Sequence, residues 1–438
     1  MPIALPVLAV LSLSLQGGQP AAQDTTAIAF VNVSVVPMDE ERVLRQHTVI
    51  VRGDRIVQVG PSSSVRPPQG ARVVNGEGKF LTPGLAEMHG HVPPPNAPAQ
   101  FTDDVLFMYV ANGITTVRGM LGAPGQLELR ERARRGEVVS PTLYLAGPSF
   151  NGNSVGTAEQ AERMVRQQHA EGWNLLKVHP GVPRAAYDAM ARTAKEVGIR
   201  FGGHVPQDVG LLHAIEMGQE TFDHVDGYLE HLNGAMGPID DEELADVVRR
   251  TREAGAWIVP TMALWEVLLG TLSLEELAAY PELRYMPQQQ VQQWTNIHRQ
   301  RLSSPQFNAT TAQRVIDNRM RILRALHEGG VRILMGTDAP QQFSVPGFSL
   351  HREFDRMAAA GMSPYDILKS GTSNVGEYFA NEDRFGTIAP GQRADLLLLD
   401  ANPLESARNL SRISGVMWRG NWLTKSEIDA ELARIERR

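Results

Sequence analysis

The stretch Leu81-Thr82-Pro83-Gly84-Leu85-Ala86-Glu87-Met88-His89-Gly90-His91 decides the fold. An apolar run breaks at Pro-Gly, resumes, and ends in His-Gly-His. Residues two apart along a strand share a face. His89 and His91 therefore project side by side from the end of one strand. Two imidazoles on one face suit zinc or a similar divalent ion. The pair carries weight only if further ligands follow at suitable places in the chain.

Outward from this strand, short apolar runs recur at 114–118, 142–146, 174–178, 199–204, 221–224, 257–261 and 332–338. Amphipathic helical stretches such as 158–170, 184–196 and 240–254 fall between them. Strand-helix alternation implies a parallel sheet. Eight such units over roughly 300 residues predict a closed (β/α)8 barrel, the TIM barrel. A longer excursion, 262–327, contains Trp265, a turn at 274–279 and a polar run at 288–293. It reads either as helices inserted after the seventh strand to cap the barrel mouth, or as a surface helical pair.

Upstream, 28–35, 47–52 and 55–59 alternate as an antiparallel meander turned at Gly53-Asp54. It is too small for an ample core of its own. Matching strands at 394–400 and 414–422 complete a small β-sandwich domain built from the N- and C-terminal segments. The expected division is a signal peptide over 1–23, the sandwich over 24–82 and 385–438, and the barrel over 83–384.

The 438-residue chain has a net charge of −7 and no basic run, which argues against non-specific nucleic-acid binding and against an anionic membrane surface. The absence of cysteine excludes disulfides, thiolate ligands and Cys nucleophiles, so any metal is held by His, oxygen ligands or a modified side chain. Residues 1–15 are almost wholly apolar and precede a polar, small-residue zone, the pattern of a secretory leader without its usual basic start. Export to the periplasm or medium is the expectation, with a cytoplasmic location if the leader is not a signal. No other stretch is a membrane-span candidate.

The polar residues fall at the C-terminal ends of the expected strands: His89 and His91 on the first, Lys177 on the fourth, His204 on the fifth, His224 on the sixth and Asp338 on the eighth. Barrel enzymes place their active sites there. Pro83-Gly84-Leu85 leading into His89-Gly90-His91, Leu176-Lys177-Val178, Gly203-His204, Asp223-His224-Val225-Asp226-Gly227 and Gly336-Thr337-Asp338-Ala339 carry a resemblance. So do Gly113 to Arg118, Val259-Pro260-Thr261 and the closing Gly386 to Leu396 segment. The chain resembles the amidohydrolase superfamily, in its prolidase-like and imidazolonepropionase-like branch of metal-dependent hydrolases.

That resemblance implies two divalent ions, expected to be Zn2+. It assigns His89, His91 and Asp338 to one, His204 and His224 to the other, and Lys177, carboxylated by carbon dioxide, as the bridge. A free ammonium between two dications would be repelled, whereas a carbamate is an anionic donor; the open alternative is an unmodified Lys177 beside a single ion. It further implies that a metal-bridging hydroxide cleaves the amide or peptide bond of a small substrate, a dipeptide or N-acyl amino acid, with Asp338 as general base and then acid. Tyr228, four residues past His224, is expected either to donate to the reacting carbonyl oxygen or to pack in a loop. Arg118 could bind a substrate carboxylate or pair with a structural acid, and Gly119 replaces the family's usual Asp beside it. His179 and His231 are weaker pocket candidates. Alternatives are a cyclic amide, lactone or organophosphate hydrolase, a mononuclear deaminase, and a catalytically silent scaffold. A homo-oligomer is left open.

Overall fold

The computed structural model describes residues 26–94 and 96–437. The signal-peptide expectation over 1–23 lies outside the described residues.

The first strands are β1 (Ile28–Val35), β2 (Leu44–Arg52), β3 (Arg55–Pro61), β4 (Arg72–Asn75) and β5 (Phe80–Pro83). β1, β2 and β3 form the expected antiparallel meander, whereas β4 and β5 both pair with β1 in parallel. β4 takes the first half of β1 and β5 its last residues, so the sheet forks there.

The central strands are β6 (Leu85–Gly90), β7 (Ile114–Gly119), β8 (Thr142–Leu145), β9 (Leu175–Val178), β10 (Arg200–Gly203), β11 (Thr221–Asp223), β12 (Trp257–Val259) and β13 (Arg332–Ile333). They are parallel and in chain order, in one arc β6-β7-β8 and another β9 to β13. Backbone hydrogen bonds span both gaps. Gly147 donates to Leu175 at 3.1 Å on one side; on the other, Met88 donates to Met335 at 2.8 Å and Asp338 to His89 at 2.7 Å. β13 is shorter than the 332–338 expected from sequence; past it the chain bonds to β6 at Met335 and Asp338, and Asp338 turns into the left-handed region (φ 65°). Gly336 permits that approach: a Cβ there would lie 2.8 Å from the His89 nitrogen.

β6, β7 and β9 are buried along their whole length, so their sequences lack the apolar–polar alternation of a half-exposed strand. The helices cover them with one stripe each. In Arg184–Val197, Ala186, Tyr187, Met190 and Ala194 recur at helical spacing on the buried face, and Gly198 ends the helix at φ 77°. Ala158–Glu171 starts with a capping box from Thr157 and Gln160.

The chain returns to the terminal sheet through β14 (Leu396–Leu399), β15 (Ile413–Trp418) and β16 (Asn421–Thr424). β14 pairs with β5, so strands from both ends share one eight-stranded ladder. Among the described residues no helix is long and apolar enough to cross a membrane.

Candidate metal centre

Six donor side chains leave the ends of β6, β9, β10, β11 and the segment after β13, and meet. The rings of His89 and His224 are 4.4 Å apart between centroids, those of His204 and His224 4.6 Å, and those of His89 and His91 5.7 Å. Asp338 lies among them: Oδ1 is 2.5 Å from His91 Nε2 and 3.7 Å from His89 Nε2, and Oδ2 is 3.7 Å from His224 Nε2. One ligand atom from each of His89, His91 and Asp338 falls within 4.8 Å of the others. Lys177 Nζ, fully buried, is 3.2 Å from His89 Nε2 and 3.7 Å from Asp223 Oδ2.

Two of the histidines are braced from behind. Asp226 accepts from His204 Nδ1 at 2.6 Å; a carboxylate only accepts, so the His204 proton sits on Nδ1 and Nε2 keeps its lone pair. His224 Nδ1 is 2.7 Å from Thr261 Oγ1. His224 and Thr261 both hold left-handed backbone, at φ 67° and 49°, which turns the chain sharply at the ends of β11 and β12. Glu87, two residues before His89, accepts from the His89 and Thr337 backbone nitrogens and from the Thr337 hydroxyl, tying the two ligand segments together. Burial raises its carboxyl to about 8 against those bonds.

Burial, then Lys177, hold His89 well below the ordinary histidine range; burial, then His89, do the same for His224. Both imidazoles are therefore neutral and able to donate a lone pair. Burial also lowers Lys177. Asp223 is opposed by burial, but Arg118 and then Lys177 hold it below the usual carboxylate range. The donor set fits divalent ions on a further observation: His224 Nε2 is buried without a hydrogen-bond partner while its Nδ1 is engaged. His89 Nδ1 lies 2.9 Å from Asp223 Oδ2 yet off the line of a hydrogen bond, and it too has no partner.

The centre opens into a cavity of about 570 Å³. His179 lines it, stacked on His204 at 4.9 Å, with burial lowering its imidazole to about 3. The inserted helix Met262–Leu269 supplies Leu264, Trp265 and Leu268, in keeping with the capping role read from sequence. Arg319 stacks its guanidinium 3.8 Å over the Trp265 ring and donates to the His224 carbonyl.

Three sequence candidates lie elsewhere. Tyr228 is fully buried; its hydroxyl meets Thr251 Oγ1 at 2.7 Å and its ring packs edge-on to Phe222, because the chain after His224 turns back under the strand end. It is a core residue, not a cavity donor. Arg118 is sealed inside the strand ring: it donates to Asp223 at 3.1 Å, Thr221 at 3.0 Å and the Met88 carbonyl at 2.6 Å, so no substrate carboxylate reaches it. His231 is exposed on the short helix Tyr228–His231 and is absent from the described cavity lining. Sequence reasoning gave no role to Glu87, Thr261 or Arg319. Glu87 had a signal, the same strand face as His89; Thr261 and Arg319 are close only in space.

The model of the Amidohydrolase family matches residues 80–423. Adenine deaminase 3 of Rhizobium meliloti (strain 1021) is 22% identical over 378 residues, 82% of this chain and 52% of the relative, so the chain spans about half that deaminase's length. Among solved structures, a bottromycin amidohydrolase superposes with a TM-score of 0.73 at 24% identity, covering 93% of this chain and 90% of that one. A Xaa-Pro dipeptidase with methionine bound in its active site gives 0.69 at 18%, covering 91% and 100%. At these identities the structural likeness is one of fold.

Proposed function

The chain belongs to the amidohydrolase family, and from that premise we propose that it is a metal-dependent hydrolase cleaving an amide-type carbon–nitrogen bond of a small substrate. On this reading the central strands β6 to β13 would be the (β/α)8 barrel, and the single eight-stranded sheet shared by the two ends of the chain the small β-domain beside it. His89, His91 and Asp338 would hold one divalent ion, His204 and His224 a second, and Lys177, once carboxylated, both. Zn2+ is the ion this donor set suits best. Bound there, such ions lower the pKa of coordinated water and polarise a carbonyl oxygen.

The chain's own groups do the rest. Burial of Lys177 favours the neutral amine that carbon dioxide requires. Asp226 and Thr261 fix the rings of His204 and His224. Asp338 carries the proton: its two oxygens face opposite sides of the histidine cluster, so one carboxylate can take a proton and return it to the leaving nitrogen. The cavity wall beside them is largely apolar.

The observation that carries this reading is the convergence of six donors from five of the eight strand ends, with Lys177 buried among them. A mononuclear deaminase is the second reading, favoured by the deaminase relative; Lys177 would then be surplus. Metal analysis of the purified protein separates the two. About two equivalents, with zinc- and bicarbonate-dependent hydrolysis in a library of dipeptides and N-acyl amides, is the expected result. About one equivalent with ammonia release from aminopurines would overturn it.

A further inference from the structure

The substrate cavity is one-sided in charge. Its wall is Val92, Leu121, Leu264, Trp265, Leu268 and Pro340, and among the described residues no Arg or Lys side chain lines it. Each nearby cation is committed elsewhere. Arg118 is enclosed with Asp223, and Arg319 lies flat on Trp265 with Asp226 at 3.4 Å. Of the two lining glutamines, Gln126 has both ends of its amide engaged: Oε1 accepts from the Ala123 nitrogen at 3.1 Å and Nε2 donates to the Val92 carbonyl at 3.0 Å. Gln341 uses only its backbone, in a bridge to Ser344, and its amide is unengaged.

A carboxylate brought into such a wall loses its hydration and meets no charged donor away from the centre itself. An apolar group gains contact, and a neutral polar group can pair with a neutral amide. We infer that the substrate is uncharged away from its scissile carbonyl, with an aliphatic or aromatic group packed on the Trp265 wall and a neutral polar group within reach of Gln341. The inference rests on the hydrolase reading above and narrows it: free dipeptides and N-acyl amino acids become poor substrates, and their amides and other blocked forms good ones.

The test is a matched pair, N-hexanoyl-L-phenylalanine and its methylamide, assayed at the hexanoyl amide bond with zinc and bicarbonate present. The methylamide should show a kcat/KM about tenfold or more above the acid. Leu121, 44% exposed at the rim, tolerates a cation without disturbing the core. Leu121→Arg should raise the acid-to-methylamide ratio of kcat/KM by about fivefold or more. Equal or reversed preference in the parent, or an unmoved ratio in Leu121→Arg, overturns the inference and leaves the hydrolase reading intact. If neither compound is cleaved by the metal-loaded protein, the hydrolase reading fails. Titration calorimetry with the same two compounds then decides the inference: tighter binding of the methylamide supports it, and equal or weaker binding ends it.

Discussion

The floor of the cavity and its wall are built on opposite plans. On the floor, polar groups sit at strand ends and are braced from behind by a second polar layer, as Asp226 braces His204 and Thr261 braces His224. On the wall, apolar side chains come from the inserted helix Met262–Leu269 and from the segments after β6, β7 and β13, and the start of that helix is held by one carboxylate: Glu353 accepts from the Met262 and Ala263 nitrogens at 2.9 and 2.8 Å. The floor is fixed by the sheet, and half of the wall by a helix that is not one of its strands. On the proposed function, chemistry would rest with the floor and selectivity with the wall.

Four substitutions test that separation. Asp338→Asn should break the floor alone, lowering kcat on the order of 10³-fold while the cavity still binds the methylamide with near-parental affinity by calorimetry. Full turnover in this variant would remove Asp338 from proton transfer. Glu353→Gln probes the wall through pH. Burial, opposed by the Ala263 and Met262 nitrogens and by Arg356, and aided by Glu266, raises Glu353 from 4.5 to about 7. A carboxyl raised on folding keeps its proton longer in the native state, so its stabilisation is full below pH 4.5 and has gone once the pH reaches about 7. Urea unfolding at pH 5 and 7.5 should show the parent losing stability by up to about 3 kcal/mol more than Glu353→Gln across that interval, with metal content equal in both. A parallel decline in the two proteins would dismiss the assignment.

Asp226→Ala removes a brace, and the expected cost is about 10- to 100-fold in metal affinity with the fold retained, read by competition with a chelator. The smallest effect belongs to a residue in neither region. Tyr228→Phe should leave kcat/KM unchanged and cost about 1 kcal/mol of stability through the lost Thr251 bond, and a fall in kcat would return Tyr228 to the site.

The same division explains what the sequence could tell. The floor was legible because strands are short, local and ordered: His89, His91, Lys177, His204, His224 and Asp338 each end an apolar run, and chain order equals position around the ring. The bracing layer was half legible. Glu87 and Asp226 lie two residues from a ligand, but Thr261 and Arg319 reach His224 from other elements, and no local pattern encodes that contact. Tyr228 had both roles open, and the left-handed turns at His224 and Val225, at φ 67° and 59°, bring it to the packed position it holds beside Thr251. Arg118 had both roles open, and only the position of Asp223 on β11, distant in sequence, decides between them. The wall was visible as an insertion, but which of its side chains face the cavity depends on how the helix is docked.

The shared ladder of the terminal sheet has a consequence for the order of events during synthesis. Leu81 on β5 pairs with Leu398 on β14, and these partners are separated by the whole of the central domain. β5 runs directly into β6, the strand that carries His89 and His91. The N-terminal meander can form as soon as it leaves the ribosome, but the flank of β5 stays unpaired until β14 emerges. Pairing so distant in sequence is slow to form, and an unpaired edge invites association with other chains. Truncation before β14 should therefore yield aggregation rather than a stable barrel, even though all six donor side chains are already present in the shortened chain.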